Sequence, residues 1–123
     1  MPVLFVGHGN PMNAIQDTVF STVWDALGFR LPRPKAILCV SAHWLTPGET
    51  RVSVTAQPKT IHDFSGFPLP LFDQQYPAPG APGIARQVLD MVDARRIIAD
   101  NEWGLDHGAW CVLGRLLPAA DIL

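Results

Sequence analysis

The sequence has little that would direct it to a nucleic acid, a membrane or an oxidising compartment. Charged residues make up only 16% of the chain, the nine Lys and Arg are scattered, and the formal net charge is −2. No basic stripe of the kind that tracks phosphates is present, so no nucleic-acid partner is expected. Apolar runs such as Ala36–Val40 fall far short of the roughly 20 residues a spanning helix needs, and no membrane partner is expected. No basic stretch leads into an apolar segment with a cleavage pattern, so no secretory signal is expected either. Cys39 and Cys111 are the only cysteines. They stand far apart in apolar surroundings without a C-x-x-C pair, which predicts reduced core thiols in a cytoplasmic protein. P-loop, G-x-G-x-x-G and HExxH patterns are missing. Ser41 lies in "CVSAH", without the two glycines of a serine-hydrolase elbow.

What is there is a folded-type composition: 48% hydrophobic over 123 residues, one domain by length, able to bury roughly two thirds of its unfolded surface. Pro2–Val6 and Lys35–Ser41 read as buried strands, and "RVSVTA" (51–56) alternates as a half-exposed strand does. Asp17–Leu27 carries Val19, Phe20, Val23, Trp24 and Leu27 on one helical stripe, with Gly28 expected as its C-terminal cap. Residues 57–80 hold no periodic element but four aromatics, Phe64, Phe67, Phe72 and Tyr76. That composition suits a packed functional loop rather than a flexible linker. Pro82 opens a second helix with Ile84, Ala85, Val88, Leu89 and Val92 inward. "RRIIA" (95–99) is a further buried strand, and His107–Leu117 a third helix stopped by Pro118. The β-α-β-β-α-β-α order predicts an α/β fold, a mostly parallel sheet flanked by helices and incomplete at the C-terminal side. "DIL" (121–123) reads as the start of another strand, so a truncated chain with an unpaired, association-prone edge is expected.

Of the four histidines, His8 ("GHG") and His43 ("SAHW") each follow directly on an expected strand. In an open α/β sheet, ligands bind beyond the carboxyl ends of the strands. Two parallel neighbours would bring both imidazoles to one edge, and the glycines beside His8 allow a sharp turn with space next to the ring. Such a pair suits a metal. Catalytic zinc and non-haem iron each need a third protein ligand, however. Asp17, Asp63, Asp73, Asp106 and His62 are all candidates, and spacing selects none. His107 opens a helix, where the dipole favours an uncharged ring able to bind a substrate oxygen. Trp24, Trp44, Trp103 and Trp110 are expected as core or pocket wall.

"LFVGHGNPMN", "PRPKAILCVSAHW", "IHDFSGFP", "YPAPG" and "WGLDHGAWCVL" occur in this order. Together they resemble the LigB-like class III extradiol ring-cleavage dioxygenases, in the 4,5-DOPA extradiol dioxygenase-like branch. Members of that family are roughly twice as long, so residues 1–123 would be the N-terminal half of a catalytic domain. The resemblance implies a non-haem Fe(II), with Zn(II) as an alternative occupant favoured by the affinity order. His8 and His43 would be its ligands. His107 would be the catalytic histidine facing substrate or dioxygen, and His62, in a loop near the site, a second substrate-side candidate. The remaining metal ligand and the acid/base histidine would lie in the family's C-terminal half, with no counterpart here. The implied partners are a small aromatic diol, dioxygen and, as an open option, further copies of the chain.

Two other readings fit part of the sequence. A tetrapyrrole metal chelatase-like domain also begins with a strand and an "HG" loop at about this length, but leaves "SAHW", "IHDFSGFP" and "DHGAW" unexplained. A non-catalytic fragment with a vestigial two-histidine site is the other.

Overall fold

A computed structural model describes residues 1–92 and 96–118. A single 3-10 turn, Pro11–Ala14, precedes helix α1 (Val19–Arg30). Strand β1 (Thr50–Ser53), the short helix α2 (Leu69–Phe72), α3 (Pro82–Met91), β2 (Ile97–Asp100) and α4 (His107–Leu116) follow. Helices therefore flank a parallel sheet, an α/β fold as expected. β1 and β2 pair from Thr50↔Ile97 to Ser53↔Asp100, and α3, between them in the chain, packs on both.

Helices α1 and α4 start where a side chain satisfies their first N–H groups. Thr18 Oγ1 accepts from Phe20 N and Ser21 N while Ser21 Oγ accepts from Thr18 N, a reciprocal box at the head of α1. Pro82 occupies the first turn of α3, where its missing N–H costs nothing. Asp106 caps α4 through Ala109 N. Helix α4 is central to both apolar clusters. Trp110 and Cys111 pack with Leu71 and Tyr76, and Val112 and Leu116 with Trp24. Burial pushes the Cys111 thiol up to about 12, so it is inert.

Several expectations are corrected. Pro2–Val6 and Lys35–Ser41 join neither the sheet nor a helix, and Val3, Phe5, Ile37, Leu38 and Val40 face outward. Their apolar pattern calls for a cover that the described residues do not supply. Cys39 is exposed for the same reason and is no core thiol. On α1 only Trp24 of the stripe is buried, whereas Val19, Phe20 and Val23 are exposed, because α4 covers one side of the helix alone. In α3 no residue is buried, since a two-stranded sheet is too narrow to cover its apolar face. Residues 57–80 are mostly irregular, but contain α2 and a parallel bridge from Thr60 to Leu105. Arg95 of the expected third strand and the expected strand start at 121–123 lie outside the described residues.

Gly28 is not a cap: it lies inside α1, where α1 meets the end of α4. A Cβ there would run into the Leu116 carbonyl oxygen. Alanine should gain about 1 kcal/mol of helix propensity and lose about 1–3 kcal/mol as the helices are forced apart. Gly28→Ala is therefore expected to lower Tm in a thermal melt despite its better propensity.

Asp100 closes β2 by accepting from Glu102 N (2.9 Å), Trp103 N (2.7 Å) and Arg51 Nη1 (2.9 Å). The Trp103 N–H, against partial burial and with help from Arg51 and the Glu102 N–H, holds its carboxyl below the ordinary value. Its stabilising contribution is complete above about pH 3.9 and fades as pH falls through the lowered value. Asp100→Asn should flatten the acid limb of stability in urea melts between about pH 2 and 5; an unchanged limb would contradict this.

Candidate metal centre

Three segments meet at the N-terminal end of α4. The His8 loop turns at Gly9 (φ +60°) and is held by Asn13, whose Nδ2 donates to the His8 carbonyl (3.2 Å). Asn13 is held in turn, its Oδ1 accepting from Thr18 Oγ1 (2.8 Å) and its carbonyl from Arg115 Nε (3.1 Å). The His43 loop is held through Ser41, whose Oγ accepts from His43 N (3.1 Å) and donates to Asp106 Oδ1 (2.6 Å). His107 is the first residue of α4 itself.

The ring nitrogens converge. His8, His43 and His107 offer ligand atoms that all lie within 4.8 Å of one another. His8 and His43 approach to 2.8 Å between their Nε2 atoms. The rings of His43 and His107 are 4.0 Å apart, centroid to centroid, and those of His8 and His107 5.1 Å. His8 Nδ1 lies 2.9 Å from the Gly9 carbonyl, so Nδ1 carries the proton and Nε2 presents its lone pair to the cluster. His107 Nδ1 donates to Asp63 Oδ1 (2.9 Å), which leaves its Nε2 for the cluster as well. Asp63 Oδ1 accepts from His107 N too (2.9 Å).

This donor set fits a metal ion. Two imidazole nitrogens bound at ~2.1 Å and at right angles on one ion stand ~3 Å apart, close to the separation of His8 and His43. Two facing lone pairs at that distance repel unless a proton or a cation lies between them. Partial burial, against the hydrogen bond to Gly9 and together with the neighbouring His107 and His43, pulls the His8 imidazole below its ordinary value. The ring is thus biased toward the form that can bind a metal. Partial burial opposes ionisation of Asp63, but the two bonds from His107 outweigh it and hold the carboxyl below its ordinary value. The cluster is open to solvent on the His43 side and closed beneath His107, which is buried.

Asp106 and Asp63, two of the sequence candidates for a third ligand, stand behind the rings. Asp106 is 1% exposed and accepts from Ser41 Oγ, Ala109 N (3.2 Å) and Trp103 Nε1 (3.2 Å). Asp17 pairs with Arg115 (3.0 Å), and Asp73 is exposed at the end of α2. His62 is outside the cluster as well. Its Nε2 lies 2.7 Å from the Gln74 carbonyl and its ring packs among Phe64, Phe72 and Trp110. Trp44 and Trp103 stack nearly parallel, 5.8 Å apart, beside the His43 loop. The orienting roles of Ser41, Asp63 and Asp106 are absent from the sequence reading. Only Asp106 carried a local signal, an Asp directly before a helix start.

The family described as the catalytic LigB subunit of aromatic ring-opening dioxygenase matches residues 6–119. The chain belongs to the LigB family. It is 50% identical over 123 residues to a 4,5-DOPA dioxygenase extradiol of Escherichia coli (strain K12), covering 99% of this chain and 45% of that protein. It is 41% identical to a 4,5-DOPA dioxygenase extradiol of Beta vulgaris, covering 96% of this chain and 46% of the relative. A crystal structure of an uncharacterized protein from Escherichia coli K12 superposes with a TM-score of 0.68 at 38% identity, over 92% of this chain and 41% of that one. The chain thus spans about half the length of the curated relatives it matches.

The carboxylate behind His107 generates a prediction. Asp63→Ala leaves two partly buried N–H donors of His107 without their acceptor. It should cost about 1–3 kcal/mol in urea unfolding, whereas exposed Asp73→Ala should stay within about 0.5 kcal/mol.

Proposed function

We propose that this chain carries the metal-holding face of a non-haem Fe(II)-dependent extradiol dioxygenase that opens the ring of a catechol, such as a dihydroxyphenyl compound. The observation that carries the reading is the convergence of His8, His43 and His107 on one solvent-open point. Membership of the LigB family supplies the reaction class. His8 and His43, in closest approach through their Nε2 atoms, are the metal ligands. Fe(II) is the working ion, and Zn(II) a competitor for the same imidazoles. When bound, the ion acidifies a catechol hydroxyl and gives the ring electrons a path to dioxygen.

The chain's own residues supply orientation. His107, with Nδ1 tied to Asp63, keeps Nε2 directed to the open point, where it hydrogen-bonds the substrate or oxygen side. Asp63 prevents the ring from flipping, so a proton can be exchanged only at Nε2. Phe64, whose ring meets His107 edge-on at 5.6 Å, supplies an apolar wall that suits an aromatic ring and keeps water from that side. His62, tied to Gln74 behind this wall, acts on substrate only by shaping it. Two free cysteines, one of them exposed, suit a reducing cytoplasm. No helix among the described residues is long and apolar enough to cross a membrane.

The test is anaerobic loading of the chain with Fe(II), metal analysis, and then exposure to a catechol in air with the yellow ring-opened product as readout. His8→Ala and His43→Ala should each weaken metal binding by about 100-fold or more, beyond the usual loss of an orienting group. His107→Ala should retain metal and, in a full-length relative, slow turnover. Full metal occupancy in His8→Ala would overturn the ligand assignment, and a loaded but inactive chain would overturn ring opening by this chain alone.

A further inference from the structure

One residue packed at the cluster is neither a ligand nor a side-chain hydrogen-bonding partner. Gly108 is the second residue of α4, and a Cβ placed on it would lie 2.6 Å from His43 Cδ2, 2.9 Å from Ser41 Oγ and 3.2 Å from Asp106 Oδ1. Real Cβ atoms do not approach carbon so closely, so the His43 loop rests directly on the bare backbone of α4's first turn. On the same side, Ser41 draws the loop onto this turn, donating to Asp106 and accepting from His43 N. The bonds draw the loop in, and the bare backbone at 108 sets how far it can come. The ring of His43 settles beside the helix that begins with His107, at 4.0 Å between centroids.

We propose that Gly108 and Ser41 are positioning residues that set the distance between the His43 imidazole and the other two. The missing side chain at 108 is then a specificity element of the metal face. A methyl group there would push His43 outward and open the cluster, while leaving all three imidazoles and both orienting carboxylates in the chain. The proposal rests on the metal-binding reading above and adds to it the element that sets the spacing. Gly114 is the natural control, because it lies in the same helix and an added Cβ would meet nothing closer than Tyr76 Cδ2 at 3.9 Å.

The experiment compares wild type, Gly108→Ala, Ser41→Ala and Gly114→Ala in Co(II) titrations followed by the visible spectrum and by chelator competition. The imidazole 15N resonances of the metal-free proteins are recorded alongside. Gly108→Ala and Ser41→Ala should bind Co(II) about 10–100-fold more weakly, the usual cost of losing a group that orients a ligand. Their ligand-field bands should shift, and Gly114→Ala should match wild type within about twofold. A Gly108→Ala protein with wild-type affinity and spectrum would overturn the proposal. Should wild type itself bind no Co(II), the metal reading fails instead, and the metal-free spectra still decide the positioning. His43 and His107 resonances displaced in Gly108→Ala but not in Gly114→Ala support it, and unmoved resonances refute it. Circular dichroism separates either result from loss of fold, and Ser41→Ala carries the test if Gly108→Ala does not fold.

Discussion

The arrangement depends on one buried carboxylate. Asp106 accepts a backbone N–H of the helix it starts, the Ser41 hydroxyl and the Trp103 indole. Those three donors come from three different places: the first turn of α4, the His43 loop and the turn that follows β2. A carboxylate can be buried only when its lone pairs are occupied, so the cost of hiding Asp106 is offset only if all three segments arrive together. Once they do, the position of His43 relative to His107 is determined within narrow limits. The same side chain thereby serves helix initiation, tertiary closure and site geometry.

Helix α4 transmits this order to the core. Its first residue is His107, and its later turns carry the buried residues of both apolar clusters. Arg115, near its end, reaches back to the Asn13 carbonyl, Gln16 and Asp17. Asn13 in turn holds the His8 carbonyl. Two of the three imidazole-bearing segments are therefore referred to one helix, one at each end. Few apolar residues are fully buried, and side-chain hydrogen bonds of long sequence separation take a large part in fixing the loops.

How far the sequence foretold this varies with the kind of signal. Helices α3 and α4 were readable because Pro82 and Pro118 punctuate them and their apolar residues recur at helical spacing. Strands β1 and β2 were readable from β-branched runs, although β2, expected to be buried, has Ile98 and Ala99 exposed. Pro2–Val6 and Lys35–Ser41 have the same apolar character, yet an apolar run states only that a cover is needed, not that it is present. The exposed Val3, Phe5 and Val40 are the outcome. For the site, expected strand ends singled out His8 and His43, an expected helix start singled out His107, and linked motifs pointed to all three, which the structure brings together. Asp63 and Asp106 were read as competitors for a third ligand place, and only Asp106 had a further signal, its position before a helix start. Carboxylates in irregular segments carry no periodicity, so their partners 44 and 65 residues away emerge only from folding. The closeness of His43 to Gly108 is likewise a property of backbone approach, invisible in spacing.

Among the described residues, no ladder of backbone hydrogen bonds secures the segments that carry His8 and His43. Their anchors are single side chains, Asn13 for one and Ser41 for the other. An ion gripped by both rings would close a loop of 35 residues and act as a staple between two loosely tethered strands of chain. Ligand binding at a hundredfold excess over Kd is worth about 2.7 kcal/mol of folding free energy, a large share of the margin by which a domain of this size stays folded. For this chain, metal supply and folded population would then be two measures of one equilibrium.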